Sequence, residues 1–150
     1  MAKEIERKFL VRDLSFRTSA VEEIHIVQGY LNTDPDRTVR VRIAGERAFI
    51  TVKTRNCGCV RDEWEYPVPV ADAGAMMAAC VGVIDKTRYV VPAGDGLHWE
   101  IDCFHGAAAP LVLAEIELPS ADTSFVLPSF IGEEVTGNPA YYNSAIATRV

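Results

Sequence analysis

Charged residues in this chain recur at a spacing of two, and their signs are sorted. Glu4, Glu6 and Lys8 oppose Ile5 and Phe9; Arg40 and Arg42 oppose Val39, Val41 and Ile43. Thr51, Lys53 and Arg55 oppose Ile50 and Val52, Glu63 and Glu65 oppose Trp64 and Tyr66, and Lys86 and Arg88 oppose Thr87 and Tyr89. Glu100 and Asp102 oppose Trp99, Ile101 and Cys103, while Glu115 and Glu117 oppose Ala114, Ile116 and Leu118. Residues i, i+2 and i+4 of an extended strand share one face. Each set is therefore one charged face, with acids on the first, fifth, seventh and eighth strand-like stretches and bases on the third, fourth and sixth.

A single charged face is ordinarily the wet side of an antiparallel sheet. Wet faces mix signs and use Ser, Thr and Gln freely, whereas these are segregated. If all turn inward, the lumen holds the acids Glu4, Glu6, Glu63, Glu65, Glu100, Asp102, Glu115 and Glu117. Against them stand the cations Lys8, Arg40, Arg42, Lys53, Lys86 and Arg88. Cations gathered in a low dielectric repel strongly and call for a polyanion, with phosphate oxygens best suited to the arginine forks. Carboxylates cannot touch phosphate directly, but beside phosphates they are the usual setting for Mg²⁺ or Mn²⁺. One wall of cations and one of carboxylates describes a phosphoryl-transfer site.

Positioning these faces takes many short strands. Alternation predicts them near 3–11, 24–31, 37–44, 47–55, 60–68, 84–91, 97–104 and 111–118. Turn signals separate them: Asp34-Pro35-Asp36, Ala44-Gly45-Glu46, Asn56-Cys57-Gly58, Gly94-Asp95-Gly96 and Ala109-Pro110. Two stretches read as helical, Ala71 to Cys80 and Pro139 to Ala147, with a helical turn around Asp13 to Thr18. The fold class expected is mainly β (α+β), an eight-stranded antiparallel barrel tunnel with a charged lumen. A few helices, among them the Ala/Met-rich and C-terminal segments, should cover its aliphatic outer faces.

Composition bounds the rest. The 150 residues suit one domain over 1–150, and 49% hydrophobic with 24% charged residues excludes a disordered or collagen-like chain. No apolar run reaches the roughly 20 residues of a membrane helix, and the acid-bearing start of the chain is unlike a signal peptide. A cytoplasmic protein is expected, with no membrane partner. The net charge of −6 disfavours a nucleic acid polymer as partner. Cys57, Cys59, Cys80 and Cys103 lack zinc spacing, and His25, His98 and His105 are scattered. Met76 and Met77 should pack the first helix onto the barrel wall.

The ordered motifs carry a family resemblance. Glu4-Ile5-Glu6-Arg7-Lys8 resembles the Glu-x-Glu-x-Lys signature of the CYTH superfamily, the triphosphate tunnel metalloenzymes. Gln28-Gly29-Tyr30-Leu31, the Arg40/Arg42 pair, Lys53, Arg61-x-Glu63-x-Glu65, Lys86-Thr87-Arg88-Tyr89, Asp102 and Glu115-Ile116-Glu117 follow in order. The ending Gly132-Glu133-Glu134-Val135-Thr136, then Tyr141-x-Asn143, is also similar. Phe130 replaces an expected Trp, and Cys57-Gly58-Cys59 fills a hairpin turn; neither touches the charged set. Within the superfamily the chain looks most like the small bacterial inorganic triphosphatases.

The resemblance implies a tunnel that takes a triphosphate with Mg²⁺ or Mn²⁺. Glu4, Glu6, Asp102, Glu115 and Glu117 would hold metal, with Glu63, Glu65 and Glu100 as supporting acids. Lys8, Arg40, Arg42, Lys53, Lys86 and Arg88 would bind phosphate. Lys8, Lys86 and Tyr30 stand nearest the chemistry, the Tyr30 hydroxyl meeting Lys86 or a water. The leading expectation is hydrolysis of tripolyphosphate to pyrophosphate and phosphate. The alternatives are cyclisation of ATP in the manner of class IV adenylate cyclases, hydrolysis of thiamine triphosphate, and a non-catalytic module for polyphosphate or nucleotide. Trp64 or Trp99 could stack on an organic group, although their parity points outward. A homodimer is expected with no motif behind it.

Overall fold

The computed structural model describes residues 2–149. Its strands are β1 (Ala2–Val11), β2 (Glu22–Tyr30), β3 (Arg37–Ala44), β4 (Arg47–Thr54), β5 (Val60–Val68), β6 (Gly82–Gly94), β7 (Leu97–Phe104), β8 (Val112–Glu117) and β9 (Ile131–Glu134). Two α-helices accompany them, α1 (Val70–Met77) and α2 (Asn143–Arg149). The sheet runs β5-β4-β3-β2-β6-β7-β8-β1-β9, all antiparallel, and β1 also pairs with β5. That last pairing closes an eight-stranded barrel, as the alternation predicts.

β1 serves two neighbours in succession on one side. Residues Ala2 to Ile5 pair with β5, and Phe9 and Val11 pair with β9, while β8 runs along the other side. The sequence pattern did not distinguish β9 as a strand, because four residues are too few to show a period.

Parity decides what lies inside. The outward residues of β1, β7 and β8 form a core of Phe9, Trp99, Ile101, Ala114 and Ile116, all at most 2% exposed. A 3₁₀ turn (Ser15–Ser19) and the segment leading to β9 cover it, contributing Phe16, Phe125, Phe130 and Ile131. Its rings meet edge to face, with Phe9 and Trp99 centroids 5.6 Å apart. The outer faces of β3 and β4 receive α1, where Ala73, Met76 and Met77 pack on Val41 and Ala48. α1 comes so close to β2 that a Cβ on Gly29 would stand 2.7 Å from Met77 Sδ.

The C-terminal segment departs from expectation twice. The predicted single helix is a 3₁₀ turn (Pro139–Tyr141), an extended Tyr142, and then α2. Asn138 Oδ1 accepts the Ala140 N–H and stops the turn at its start. Nor does α2 cover an outer face. Its Ile146 and Ala147 pack on Tyr30, Ile84, Phe104 and Leu113, with Leu10 beside them. Leu10, Tyr30, Ile84, Phe104 and Leu113 share inward parity with Lys8, Gln28, Lys86, Asp102 and Glu115, so α2 plugs one end of the barrel. Gly82 permits this approach, since a Cβ there would lie 2.7 Å from the Ala147 carbonyl oxygen.

Candidate active site

Beyond the plug, the barrel interior is a polar cavity of about 210 Å³. All six cations read from the sequence line it: Lys8, Arg40, Arg42, Lys53, Lys86 and Arg88. So do Tyr30 and the acids Glu4, Glu6, Glu63, Glu65, Glu100, Glu115 and Glu117. The spacing that put Thr51, Lys53 and Arg55 on one face holds only as far as the barrel does. Arg55 is exposed beyond the end of β4 and pairs with Asp36.

The register brings like charges together. Glu6 faces Glu117 across β1 and β8, and Glu115 faces Lys8 on one side and Glu100 on the other. Most acids then find a cation. Glu4 binds Lys53 Nζ through both oxygens, each at 3.1 Å, and Arg61 Nε at 3.0 Å. Glu63 approaches Lys53, Glu65 takes Arg40 at 3.3 Å, and Glu100 takes Arg88 at 3.2 Å. Glu6, Glu115 and Glu117 form no ion pair among those found in the described residues. Burial, then Glu115 and Glu4, push the Glu6 carboxyl well up. Burial, Glu4, Glu63 and Glu100 also raise Glu117. Carboxylates crowded together without a cation of their own suit a divalent ion with oxygen ligands. No set of three or more His, Cys, Asp or Glu among the described residues is already drawn around one point.

Asp102 has a different place. The family resemblance puts it with the metal carboxylates, but it is fully buried and absent from the cavity lining. Its Oδ1 accepts from Arg88 Nε at 2.8 Å; its Oδ2 accepts from Lys86 Nζ at 2.7 Å and Arg88 Nη2 at 3.0 Å. Burial resists its ionisation, but Arg88 and Lys86 hold it at about 2. Both oxygens are spent on anchoring two cations whose outer sides face the cavity.

The cations carry the opposite strain. Burial pushes Lys86 down to about 7, with Asp102 resisting and Arg88 and Arg42 adding to the fall. Burial, then Arg40 and Arg88, likewise press Arg42 down to about 9. A guanidinium does not give up its proton in a protein, so that pressure is the cost of holding the charge near other cations, and an incoming anion would relieve it. Arg40 shows the same demand, because its buried Nε has no partner among the described residues.

Two residues at the site carry no individual role in the sequence, Arg61 in the lining and Gln28 buried behind it. Arg61 shares the inward face with Glu63 and Glu65, so the spacing-of-two signal could have found it. Gln28 is fully buried, and its Oε1 accepts from Arg42 Nε and Nη2 at 3.0 and 2.8 Å. Its Nε2 donates to the Tyr30 hydroxyl at 2.9 Å, so Tyr30 engages Gln28 rather than Lys86. Trp99 and Trp64 lie outside the lining, as their parity indicates.

The cavity's cast of residues recurs in known proteins. The CYTH domain model matches residues 2–144. The chain belongs to the CYTH family. Among curated relatives, this CYTH protein is 41% identical over 146 residues to an inorganic triphosphatase of Acetivibrio thermocellus, covering 96% of this chain and 92% of that one. It is 37% identical over 151 residues to an inorganic triphosphatase of Nitrosomonas europaea, with 98% of each covered. The CYTH fold also superposes on a crystal structure of an inorganic triphosphatase with TM-score 0.72 and 34% identity, covering 100% of this chain and 97% of that chain.

Proposed function

We propose that this protein hydrolyses inorganic triphosphate to pyrophosphate and phosphate, with a divalent metal ion. The observation that carries this is a cavity, plugged at one end, whose lining gathers Arg40, Arg42, Lys86 and Arg88. The near full-length likeness to inorganic triphosphatases supports it. The lining is mostly charged, with Tyr30 and Tyr142 as its aromatic members.

Lys86 and Arg88, braced by Asp102, and Arg42, braced by Gln28, would grip phosphate oxygens toward the plugged end. Arg40 and Lys53 would bind farther round the wall, and Lys8 beside β8. These fixed donors would stabilise negative charge as it gathers on the leaving pyrophosphate, and they need no reorganisation at that moment. The plug of Tyr30, Ile84, Phe104, Leu113 and Ile146 keeps bulk water from that end. Glu6, Glu115 and Glu117, with Glu4 behind them, would hold Mg²⁺ or Mn²⁺. A bound ion of this kind neutralises phosphate charge and makes water a better nucleophile.

The test is a panel of tripolyphosphate, ATP and thiamine triphosphate, each with Mg²⁺ or Mn²⁺. Tripolyphosphate should have the highest kcat/KM, with pyrophosphate and phosphate as products. ATP turned over much faster, or cyclic AMP as product, would overturn the reading.

A further inference from the structure

Two of the cavity's cations, Lys86 and Arg42, are joined through the plug. Lys86 has no solvent exposure, and its ammonium donates to Asp102 Oδ2 at 2.7 Å and to Asn143 Oδ1 at 2.9 Å. Asn143, the first residue of α2, also accepts from Gln28 Nε2 at 3.3 Å. Gln28 in turn holds both Nε and Nη2 of Arg42. Both amide orientations follow from chemistry. Arg42 and Lys86 can only donate, so Gln28 must turn Oε1 to Arg42 and Asn143 must turn Oδ1 to Lys86. The remaining contact, Gln28 Nε2 to Asn143 Oδ1, then has one donor and one acceptor. The chain Arg42–Gln28–Asn143–Lys86–Asp102–Arg88 has one self-consistent polarity.

An ammonium has three N–H groups. Two fixed acceptors, Asp102 and Asn143, stop its rotation and leave one N–H for the cavity that Lys86 lines. The second acceptor is neutral. A carboxylate there would cancel the charge that phosphate needs, whereas an amide orients the ammonium and leaves its charge intact.

We propose that Asn143 is a positioning residue: from the first turn of α2 its amide holds Lys86 directly and Arg42 through Gln28, and so aims these two phosphate-binding cations into the cavity. This rests on the tripolyphosphate reading. It assigns α2 a part in the reaction beyond closing the barrel.

The experiment compares Asn143→Ala, Asn143→Asp and Ile146→Ala with the parent. Ile146 is 1% exposed in the plug and makes no polar contact with the cations, so its truncation loosens α2 alone. Asn143→Ala should lower kcat on tripolyphosphate about 10- to 100-fold, the effect of one hydrogen bond to a charged group. KM should change little. Asn143→Asp restores an acceptor but adds negative charge beside phosphate, so KM should rise. A second readout is independent of turnover: the Lys86 ammonium, held by two acceptors, should give a slowly exchanging ¹H–¹⁵N signal that Asn143→Ala abolishes and Ile146→Ala retains. Parental kcat in Asn143→Ala with that signal intact would overturn the proposal, as would equal kcat losses in Ile146→Ala and Asn143→Ala at equal melting temperature. A parent inactive on tripolyphosphate would sink the functional reading instead. The ammonium signal would still decide the positioning role, its persistence in Asn143→Ala counting against it.

Discussion

Lys86 and Asp102 meet 2.7 Å apart across β6 and β7, each with a side chain wholly out of solvent. Arg88 shares the same carboxylate. A buried pair is weak evidence for stability in itself, but breaking one by removing a partner leaves a charge uncompensated. Asp102→Asn should therefore destabilise by about 3–5 kcal/mol, measured by denaturant unfolding near neutral pH. The sign of its pH dependence follows from its carboxyl being held at about 2, below its usual 3.8. Its stabilisation is full above about pH 3.8 and is lost as pH falls toward 2. The gap between parent and variant should close over that window. A gap that stays constant from pH 6 to pH 2 would remove Asp102 from its role as the anchor.

Lys86 has a linkage of the same sign in a higher pH window. Burial sets it at about 7 in the folded chain, against 10.5 for an ordinary lysine. Between those values the unfolded chain binds the extra proton, so this group makes the empty protein more stable as pH rises from 7 to 10.5. Tripolyphosphate beside Lys86 should draw the proton back. Binding above pH 7 should then take up protons, seen by calorimetry in buffers of differing ionisation enthalpy. Proton release, or none, would place the anion away from Lys86.

Two glycines should respond oppositely to alanine. At Gly82 the new methyl would stand 2.7 Å from the Ala147 carbonyl oxygen. Displacing α2 should cost about 1–3 kcal/mol and lower activity with it. At Gly74, within α1, nothing lies within 4 Å of the added atom. Gly74→Ala should stabilise by about 0.4–1 kcal/mol and leave turnover unchanged. Thermal melts and initial rates decide both.

The barrel and its inward charges were legible because both rest on a period of two, which runs unbroken from β1 to β8. What that period could not supply was pairing. Asp102 and Glu115 share inward parity, yet only the register shows Asp102 opposite Arg88 and enclosed by two cations, while Glu115 faces Lys8 and Glu100. Arg61 carried the same signal as Glu63 but was read only as part of a motif. The plug was illegible for another reason. Whether an apolar helix such as α2 covers a wall or enters a barrel depends on which strand face it meets, and Ile146 alone does not say. Gln28 and Asn143 are neutral amides, invisible to an argument made from charges.

If the sorted charges form two walls of one cavity, a metal titration of Glu117→Gln and Arg40→Ala with tripolyphosphate should separate them. Glu117→Gln preserves shape and relieves crowding with Glu6 across β1 and β8, but offers less charge to a cation. Its activity should fall sharply and recover in part at high Mn²⁺. Arg40→Ala removes a buried fork, so KM should rise by roughly 30-fold to several thousand-fold, equivalent to about 2–5 kcal/mol. Extra metal should not restore it. If both variants keep near-parental kcat/KM at every metal concentration, these side chains do not share a working cavity.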